Sequence, residues 1–393
     1  MTEELEFTIV LPCLDEAETL GVCISKAQQS LQNLNITGEV LIADNGSTDG
    51  SQEIAQKLGA RTIAVPTKGY GSALLAGFNA ANSKYIIMAD ADDSYALDNL
   101  ELFVAELRNG NDLVMGNRFG GIIHKGAMPW LHKHVGNPIL SFVGRLFFQS
   151  KIRDFHCGMR GLNRKRILDL DLHTPGMEFA SELVVKAILS DYKIVEVPTD
   201  LKPDGRSRAP HLRTWSDGWR HLRFLLSYSP RWLFFYPGLF FALAGLSGAT
   251  LLIKSRRQVF GVSFDLQTLV LLIFMLLFGT QLMWFALLSK ASSISKGFMP
   301  LDKTSQRIFQ AASRESSYLY YLLVIIIGIL LLFLQIQHWI AISFGELNAS
   351  EVVRASLVGS TLTFIGLQAV MSHFLLSVIL MGTNLSTLPK KRT

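Results

Sequence analysis

Three carboxylates stand within four positions at Asp90-Ala91-Asp92-Asp93, directly after the apolar run Tyr85-Ile86-Ile87-Met88-Ala89. A short apolar run bounded in this way reads as a buried strand. Its end carries the carboxylates to the carboxyl edge of a sheet, where open α/β sheets bind ligands. Clustered carboxylates repel one another, so a divalent cation is their natural partner. Oxygen donors favour Mg²⁺ or Mn²⁺, ions that commonly clamp substrate phosphates. Asp90, Asp92 and Asp93 are therefore the candidate metal ligands. The plain alternative is a solvated acidic loop with Asp93 capping the next helix. A lone DxD favours that alternative at roughly two to one, because short motifs are frequent by chance. What lies before and after it reverses the odds.

The surrounding chain alternates strands and helices at short spacing. Residues 7–11 form a β-rich run stopped by Pro12, and residues 17–31 are helical. A second strand at 40–43 ends in Asp44-Asn45-Gly46-Ser47-Thr48-Asp49-Gly50, turn chemistry in which Ser47 or Thr48 is placed to cap a helix. A third strand covers 62–65, and Lys68-Gly69-Tyr70-Gly71 opens a helix through 81. A helix at 97–107, a strand at 113–115, a helix at 178–189 and a late strand at 193–197 complete the pattern. This predicts βαβ units and a mainly parallel, Rossmann-like sheet. Each strand end carries polar or glycine residues: Asp15 and Glu16, Asp44, Lys68-Gly69, Asp90 and Asp92, Gly116-Asn117-Arg118. In a parallel sheet these share one edge. No G-x-G-x-x-G or Walker A sequence is present, which weighs against a dinucleotide dehydrogenase or a P-loop ATPase.

Beyond residue 120 the pattern loosens. Residues 129–148 mix Trp130, Phe142, Phe147 and Phe148 with Lys133 and Arg145, and Pro138 is expected to break any single helix there. A membrane-surface segment and an ordinary core helix fit that stretch equally well. Asp154-Phe155-His156-Cys157-Gly158-Met159-Arg160 reads as a loop. His124, His132 and His134 lack a matched ligand set and read as surface residues. Glu178 and Glu182 share a helix face, and a solvated or salt-bridged face is the better reading.

Lys202-Pro203-Asp204-Gly205-Arg206-Ser207-Arg208 is a basic loop. After it, Trp215, Trp219, Leu222 and Leu226 share one helical face, with Arg213 and Arg220 opposite, as in an interfacial helix. Residues 202–231 hold seven Lys/Arg against two Asp, which suits anionic headgroups. Four long apolar stretches follow, at 232–253, 268–289, 319–342 and 357–381, each near the ~20 residues that a bilayer requires. Gly238, Gly245 and Gly248 on the first are placed for helix packing. Basic residues concentrate in the 290–317 connection (Lys290, Lys296, Lys303, Arg307, Arg314) and in the tail (Lys390, Lys391, Arg392). The positive-inside rule then puts the N-terminal domain and the C-terminus in the cytoplasm, against a local dissent from Lys254, Arg256, Arg257 and Arg354. The expected domains are 1–210, an amphipathic helix at 211–231, and a four-helix transmembrane domain at 232–393.

Composition sets outer limits. The 393 residues carry a net charge of +5, too mild by itself to argue for nucleic acid. The cysteines Cys13, Cys23 and Cys157 have no paired spacing, so neither a disulfide framework nor a zinc site is suggested. The acidic start, Met-Thr-Glu-Glu-Leu-Glu, lacks the apolar region of a signal peptide.

Several of these pieces, in this order, resemble a family. Pro12-x-x-Asp15-Glu16, Asp44-x-Gly46-Ser47-x-Asp49, Asp90-x-Asp92 and Gly116-x-Arg118-Phe119 resemble the GT-A domain of family 2 glycosyltransferases. Asp154…Gly158-x-Arg160 and Lys202-x-x-Gly205-x-Ser207-Arg208 are similar to the dolichol-phosphate mannose synthase and bacterial polyprenyl-phosphate glycosyltransferase type. The resemblance covers residues 6–230. It implies that Pro12, Asp15, Glu16 and Asp44 hold the nucleotide, with Lys68 and Lys202 beside the substrates. It implies that Asp90 and Asp92 hold Mg²⁺ or Mn²⁺ on the diphosphate, and that Arg118, Arg160 and Arg208 meet phosphates. Arg206 joins them as a host for the acceptor phosphate. Asp154 matches a candidate base position; an Asp orienting Arg118 or Arg160 is the equal alternative. Asp93 and Ser94 stand where the family continues with Leu-Gln, so Asp93 is the substitute ligand. The Gln-x-x-Arg-Trp signature of processive relatives is absent.

The resemblance implies transfer of a sugar, with inversion, from a nucleotide-diphosphate sugar (UDP-glucose ahead of GDP-mannose) to undecaprenyl or dolichyl phosphate in a bilayer. The protein would be integral to the membrane, the plasma membrane if bacterial, with homo-oligomerisation open. A non-catalytic membrane scaffold and a lipid-carrier transporter are the competing classes. The scarcity of ionisable residues in the spans, where His338 and His373 are the exceptions, counts against the transporter.

Overall fold

The computed structural model describes residues 5–207, 214–254, 256–312, 314–346 and 348–381, so Arg208 and Arg213 lie outside the described residues. The chain divides into two compact units, the first running to Leu225.

The first unit is built on a seven-stranded sheet. Its strands are β1 (Leu5–Cys13), β2 (Gly38–Asp44), β3 (Arg61–Ala64), β4 (Ser83–Met88), β5 (Leu113–Asn117), β6 (Arg160–Asn163) and β7 (Ile194–Pro198), in spatial order β3-β2-β1-β4-β6-β5-β7. Its helices are α1 (Leu20–Asn33), α2 (Ser51–Lys57), α3 (Tyr70–Ala80), α4 (Glu101–Arg108), α5 (Asn137–Phe148), α6 (Arg164–Leu168), α7 (Phe179–Leu189) and α8 (Thr214–Ser227). Both faces of the sheet are covered, which is why its central strands are apolar at nearly every position. Along β1, Phe7, Ile9 and Leu11 enter one core with Cys23, Ile24 and Ala27 of α1 and Phe103 and Leu107 of α4. Val10 points the other way, into a core with Phe78 of α3 and Phe179 and Leu183 of α7.

Neighbouring strands are parallel except at β6, which runs antiparallel to both β4 and β5. The sequence reading places residues 154–160 in a loop and does not foresee β6. Arg-Gly-Leu-Asn has no β-branched residue and one large apolar residue, so only its flanking strands make it a strand. Because Arg160 pairs with both Met88 and Met115, β6 begins at the edge where β4 and β5 end.

Pro138 does not break its helix, contrary to expectation. A π turn (His132–Gly136) leads directly into α5, and this wider turn takes up the missing N–H and the ring of the proline. Ser141, Gly144 and Phe148 of α5 are buried, while Ile139, Phe142 and Leu146 are exposed along its outer face. On α8, His221, Phe224 and Leu225 are buried and Trp215 and Trp219 are 81% and 58% exposed. Two apolar faces are thus left outside the core of this unit.

The second unit is helical. A π turn (Arg231–Phe235) enters α9 (Tyr236–Leu252). A hairpin of β8 (Arg257–Val259) and β9 (Val262–Phe264) then leads to α10 (Leu266–Ser295), α11 (Lys303–Ala312), α12 (Ser316–Ala341) and α13 (Ala349–Leu380). Four helices are long and apolar enough to cross a membrane: Arg231–Leu252, Leu266–Ser295, Ser316–Ala341 and Ser350–Leu380. Glycines set the seam between α9 and α10. A Cβ on Gly245 would collide with the Leu276 backbone, and one on Gly279 with that of Ala242. Arg354, one of the dissenting basic residues, is buried and paired with Asp265, and it also donates to the Leu252 carbonyl.

Candidate active site

The parallel strands deliver their ends to one edge, and the sequence-predicted residues gather there in two groups. The first lies beyond β1, β2 and β3. Asp15 takes a left-handed backbone conformation at φ 55°, and its Oδ1 accepts from Thr48 N at 2.7 Å. Asp15 N donates to Ser47 Oγ at 2.9 Å. Asp44 is buried and accepts from Gly46 N, Ser47 N and, at 2.7 Å, Gln52 Nε2, so it shapes the turn that follows it. Lys68 Nζ donates to the Asn45 carbonyl at 2.6 Å, bringing its ammonium onto the same turn. The expected cap at Ser47 or Thr48 is corrected: Gly50 occupies the N-cap of α2, and both hydroxyl residues serve Asp15 instead. Pro12 lies in β1 opposite Ala43.

The second group lies beyond β4, β5 and β6. Asp90 is half-buried, and Tyr70 OH donates to its Oδ1 at 3.0 Å. Burial, and then the Asp92 charge beside it, push the Asp90 carboxyl above the usual range. Asp92 Oδ1 accepts from Ser94 N at 3.1 Å and from Ser94 Oγ at 2.6 Å. Its Oδ2 accepts from Arg206 Nη2 at 2.9 Å, and Arg206 Nη1 donates to Glu16 Oε1 at 3.1 Å. Asp93 departs from its expected place beside these carboxylates. Its backbone is left-handed at φ 59°, and its Oδ1 pairs with Lys26 of α1 at 2.5 Å.

Arg118 follows β5 and meets Asp154 in a two-pronged pair, Nε to Oδ2 at 2.7 Å and Nη2 to Oδ1 at 2.8 Å. Asp154 Oδ2 also accepts from Arg118 N, and its Oδ1 from His156 N. Of the two readings of Asp154, this geometry is that of the orienting carboxylate. Burial works against the Arg118 charge, but Asp154 outweighs it and holds the guanidinium above its ordinary range. Arg160 differs from expectation. It is fully buried, and its guanidinium donates to the carbonyls of Cys157 (2.9 Å), Ala180 (2.7 Å) and Phe155 (3.1 Å). It ties the 155–157 loop to α7 rather than presenting its charge to the edge.

Other residues complete the site. Tyr70 holds Asp90, and Tyr95 OH accepts from Gly158 N at 2.9 Å. Gly158 is required by contact: a Cβ there would collide with Asp90 Oδ2 and lie 3.2 Å from Tyr95 OH. Ser181 Oγ stands 2.9 Å from His221 Nδ1 and 3.3 Å from His156 Nε2. Ser94 was legible as a hydroxyl two residues after a turn aspartate. Tyr70 and Tyr95 carried no local signal. Lys202 enters through its backbone N–H, 2.9 Å from the Ser94 carbonyl. Glu182 takes the salt-bridged of its two expected forms, pairing with Lys186 at 3.0 Å, but it does so buried and also accepts from Thr174. The three thiols are free and buried, and burial pushes Cys13 up to about 11 and Cys23 and Cys157 up to about 12.

Among the described residues no three His, Cys, Asp or Glu side chains are grouped to hold a metal ion. Asp90 and Asp92 nevertheless fit Mg²⁺ or Mn²⁺, which are commonly held by one or two carboxylates and completed by substrate phosphates and water. A guanidinium already spanning Glu16 and Asp92 shows that the oxygens there accept a cation.

A Rossmann-like sheet with acidic and cationic groups on one edge, joined in one chain to apolar helices of membrane length, defines a membrane-associated α/β enzyme. Residues 8–170 match the model of glycosyl transferase family 2, and residues 287–380 match the glycosyltransferase family 2 C-terminal transmembrane region. The chain is 35% identical to the low-salt glycan biosynthesis hexosyltransferase Agl6 of Haloferax volcanii, over 94% of this chain and 88% of that one. It is 29% identical to a dolichyl-phosphate hexose transferase of the same organism, over 49% of this chain and 81% of that one. It is 27% identical to a dolichol-phosphate mannosyltransferase of Pyrococcus furiosus, over 49% and 56%. The chain belongs to glycosyltransferase family 2.

Proposed function

We propose that this glycosyltransferase moves a hexose, with inversion, from a nucleotide-diphosphate sugar to a membrane polyprenyl phosphate. The observation that carries the reading is the single sheet edge on which Asp90 and Asp92 stand beside the Asp154-braced Arg118, in a chain with four candidate spans. The names of two relatives, which specify dolichyl or dolichol phosphate, support the acceptor class. UDP-glucose is the donor we favour.

In this proposal Asp15, Glu16, Asp44 and Lys68 line the nucleotide side. Asp90 and Asp92 hold Mg²⁺ or Mn²⁺, which when bound offsets charge on the leaving diphosphate. Arg118 is aimed by Asp154 and meets a phosphate through the part of its guanidinium that Asp154 leaves free; an arginine fork suits that partner. A phosphate monoester has a second pKa of about 6 and is largely dianionic near neutrality, so its oxygen attacks the anomeric carbon without a strong base. Asp154 therefore acts by positioning. Direct displacement inverts the anomeric centre. The exposed tryptophans of α8 and the outer face of α5 rest against the bilayer from which the acceptor comes. The basic 290–317 connection orients the site toward the cytoplasm.

The test is incubation of membranes containing the protein with radiolabelled UDP- and GDP-sugars and either undecaprenyl or dolichyl phosphate. A labelled, acid-labile prenyl-phosphate sugar is expected. Release of free sugar alone, or no labelled lipid with any donor, refutes the reading.

A further inference from the structure

Arg206 lies where a cation belongs. Its two terminal nitrogens reach Glu16 Oε1 and Asp92 Oδ2, at 3.1 and 2.9 Å, so carboxylates from the loops after β1 and β4 meet on one guanidinium. Asp204 Oδ2 braces the same group from within the loop, 2.9 Å from Nη2 and 3.2 Å from Nε. The Arg206 side chain is 12% exposed. The loop that carries it is fastened along its length. Lys202 N donates to Ser94 O and Gly205 N to Asp92 O, each at 2.9 Å. Ser207 N and Oγ donate to Glu18, at 2.6 and 2.5 Å. Asp92 has one oxygen for an outside cation, because Oδ1 is taken by Ser94.

We propose that Arg206 is the resident counter-cation of the donor site, and that a divalent cation takes Asp92 and Glu16 from it, so that metal loading releases the Arg206 loop. This rests on the metal reading of Asp90 and Asp92 given above. A guanidinium and a divalent ion compete for Asp92 Oδ2, since two cations at contact distance repel. Without metal, the clasp keeps the clustered carboxylates from repelling one another and closes the loop over them. With metal, the displaced guanidinium stays tethered beside the site, held by Asp204 alone and with Nη1 ready for a phosphate. Loading order follows: metal first, then the phosphate that Arg206 meets.

The full-length protein in detergent is titrated with Mn²⁺ alone, followed by the electron paramagnetic resonance of free Mn²⁺, with hydrogen exchange read over residues 202–207. In the wild type the loop is expected to be protected without metal and to lose protection as Mn²⁺ binds. Arg206→Gln should start with weaker protection than the wild type and bind Mn²⁺ at least about tenfold tighter, because the metal no longer displaces charge-assisted hydrogen bonds. Arg206→Lys, which keeps the charge but cannot span two carboxylates, should fall between them and serves should the Gln variant fold poorly. Unchanged or weaker Mn²⁺ affinity in both variants, or a wild-type loop indifferent to Mn²⁺, overturns the proposal. Asp92→Asn tests the underlying reading separately. It should abolish Mn²⁺ binding, and full retention there refutes the metal assignment whatever the loop does.

Discussion

Asp154 accepts four hydrogen bonds, two per oxygen, and three of them come from Arg118. A carboxylate so used has no lone pair left to take a proton from an incoming acceptor. Asp154→Ala leaves Arg118 buried and unpaired, which costs about 3–5 kcal/mol. Thermal unfolding in detergent should show that loss together with loss of turnover. The double variant Asp154→Leu/Arg118→Met should recover most of the stability and none of the turnover. A stable Asp154→Ala protein whose activity returns with added formate would instead identify a base. Asp90 gives a pH prediction. Its carboxyl is raised from 3.8 to about 6, so the folded, metal-free protein binds a proton more tightly than the unfolded chain does. Asp90's contribution to stability then falls as pH rises between those values. Mn²⁺ needs the ionised form. The thermal shift on adding Mn²⁺ should therefore grow as pH rises through about 6. A shift flat from acid to neutral pH would place the metal elsewhere.

At the scale of elements, two close approaches can be probed by adding a methyl group or more. Gly158→Ala presses on Asp90, and overpacking of this kind costs about 1–3 kcal/mol. It should weaken Mn²⁺ binding more than it lowers the unfolding temperature. Gly245→Leu should part α9 from α10, seen as a lowered unfolding temperature with the Mn²⁺ affinity retained, because membrane helices associate through close backbone packing. The elements also show what the sequence could reveal. β1, β2, β4 and α1 were legible because their apolar periods are regular and their ends carry turn residues. The four long helices were legible from length alone. β6 was not, since its strand character comes from β4 and β5. Arg160 was misplaced for the same reason: a motif marks its position but not the direction of its side chain, and here three backbone carbonyls capture it. Asp93 was drawn away by Lys26, sixty-seven positions earlier, a pairing only the fold creates. The carboxylates of the DxD, by contrast, were placed by a strand end and needed no tertiary information.

For the whole molecule, the charge pattern predicts topology. A cysteine at Lys303 should react with a membrane-impermeant reagent only in inside-out vesicles, and one at Gln258 only in intact cells. The native thiols are buried and leave the assay clean. The reverse labelling would put the site on the wrong side for a cytoplasmic donor. The chain between β5 and β6 carries a wider consequence. It leaves the sheet after Asn117 and re-enters at Arg160, and the pairing of Arg160 with Met115 closes its base. Arg118 and Asp154 at its two ends belong to the site, and between them α5 with its apolar outer face is an excursion hung from a fixed clasp. Doubling the length of such a loop costs only about 0.6 kcal/mol in closure entropy. The fold can therefore vary the outer face of α5 while leaving the edge beyond β1, β2 and β3 untouched. With the outer face of α5 against the acceptor lipid as proposed, exchanging the α5 segment between Arg118 and Asp154 would re-address the enzyme to a new acceptor without re-solving the chemistry of the donor.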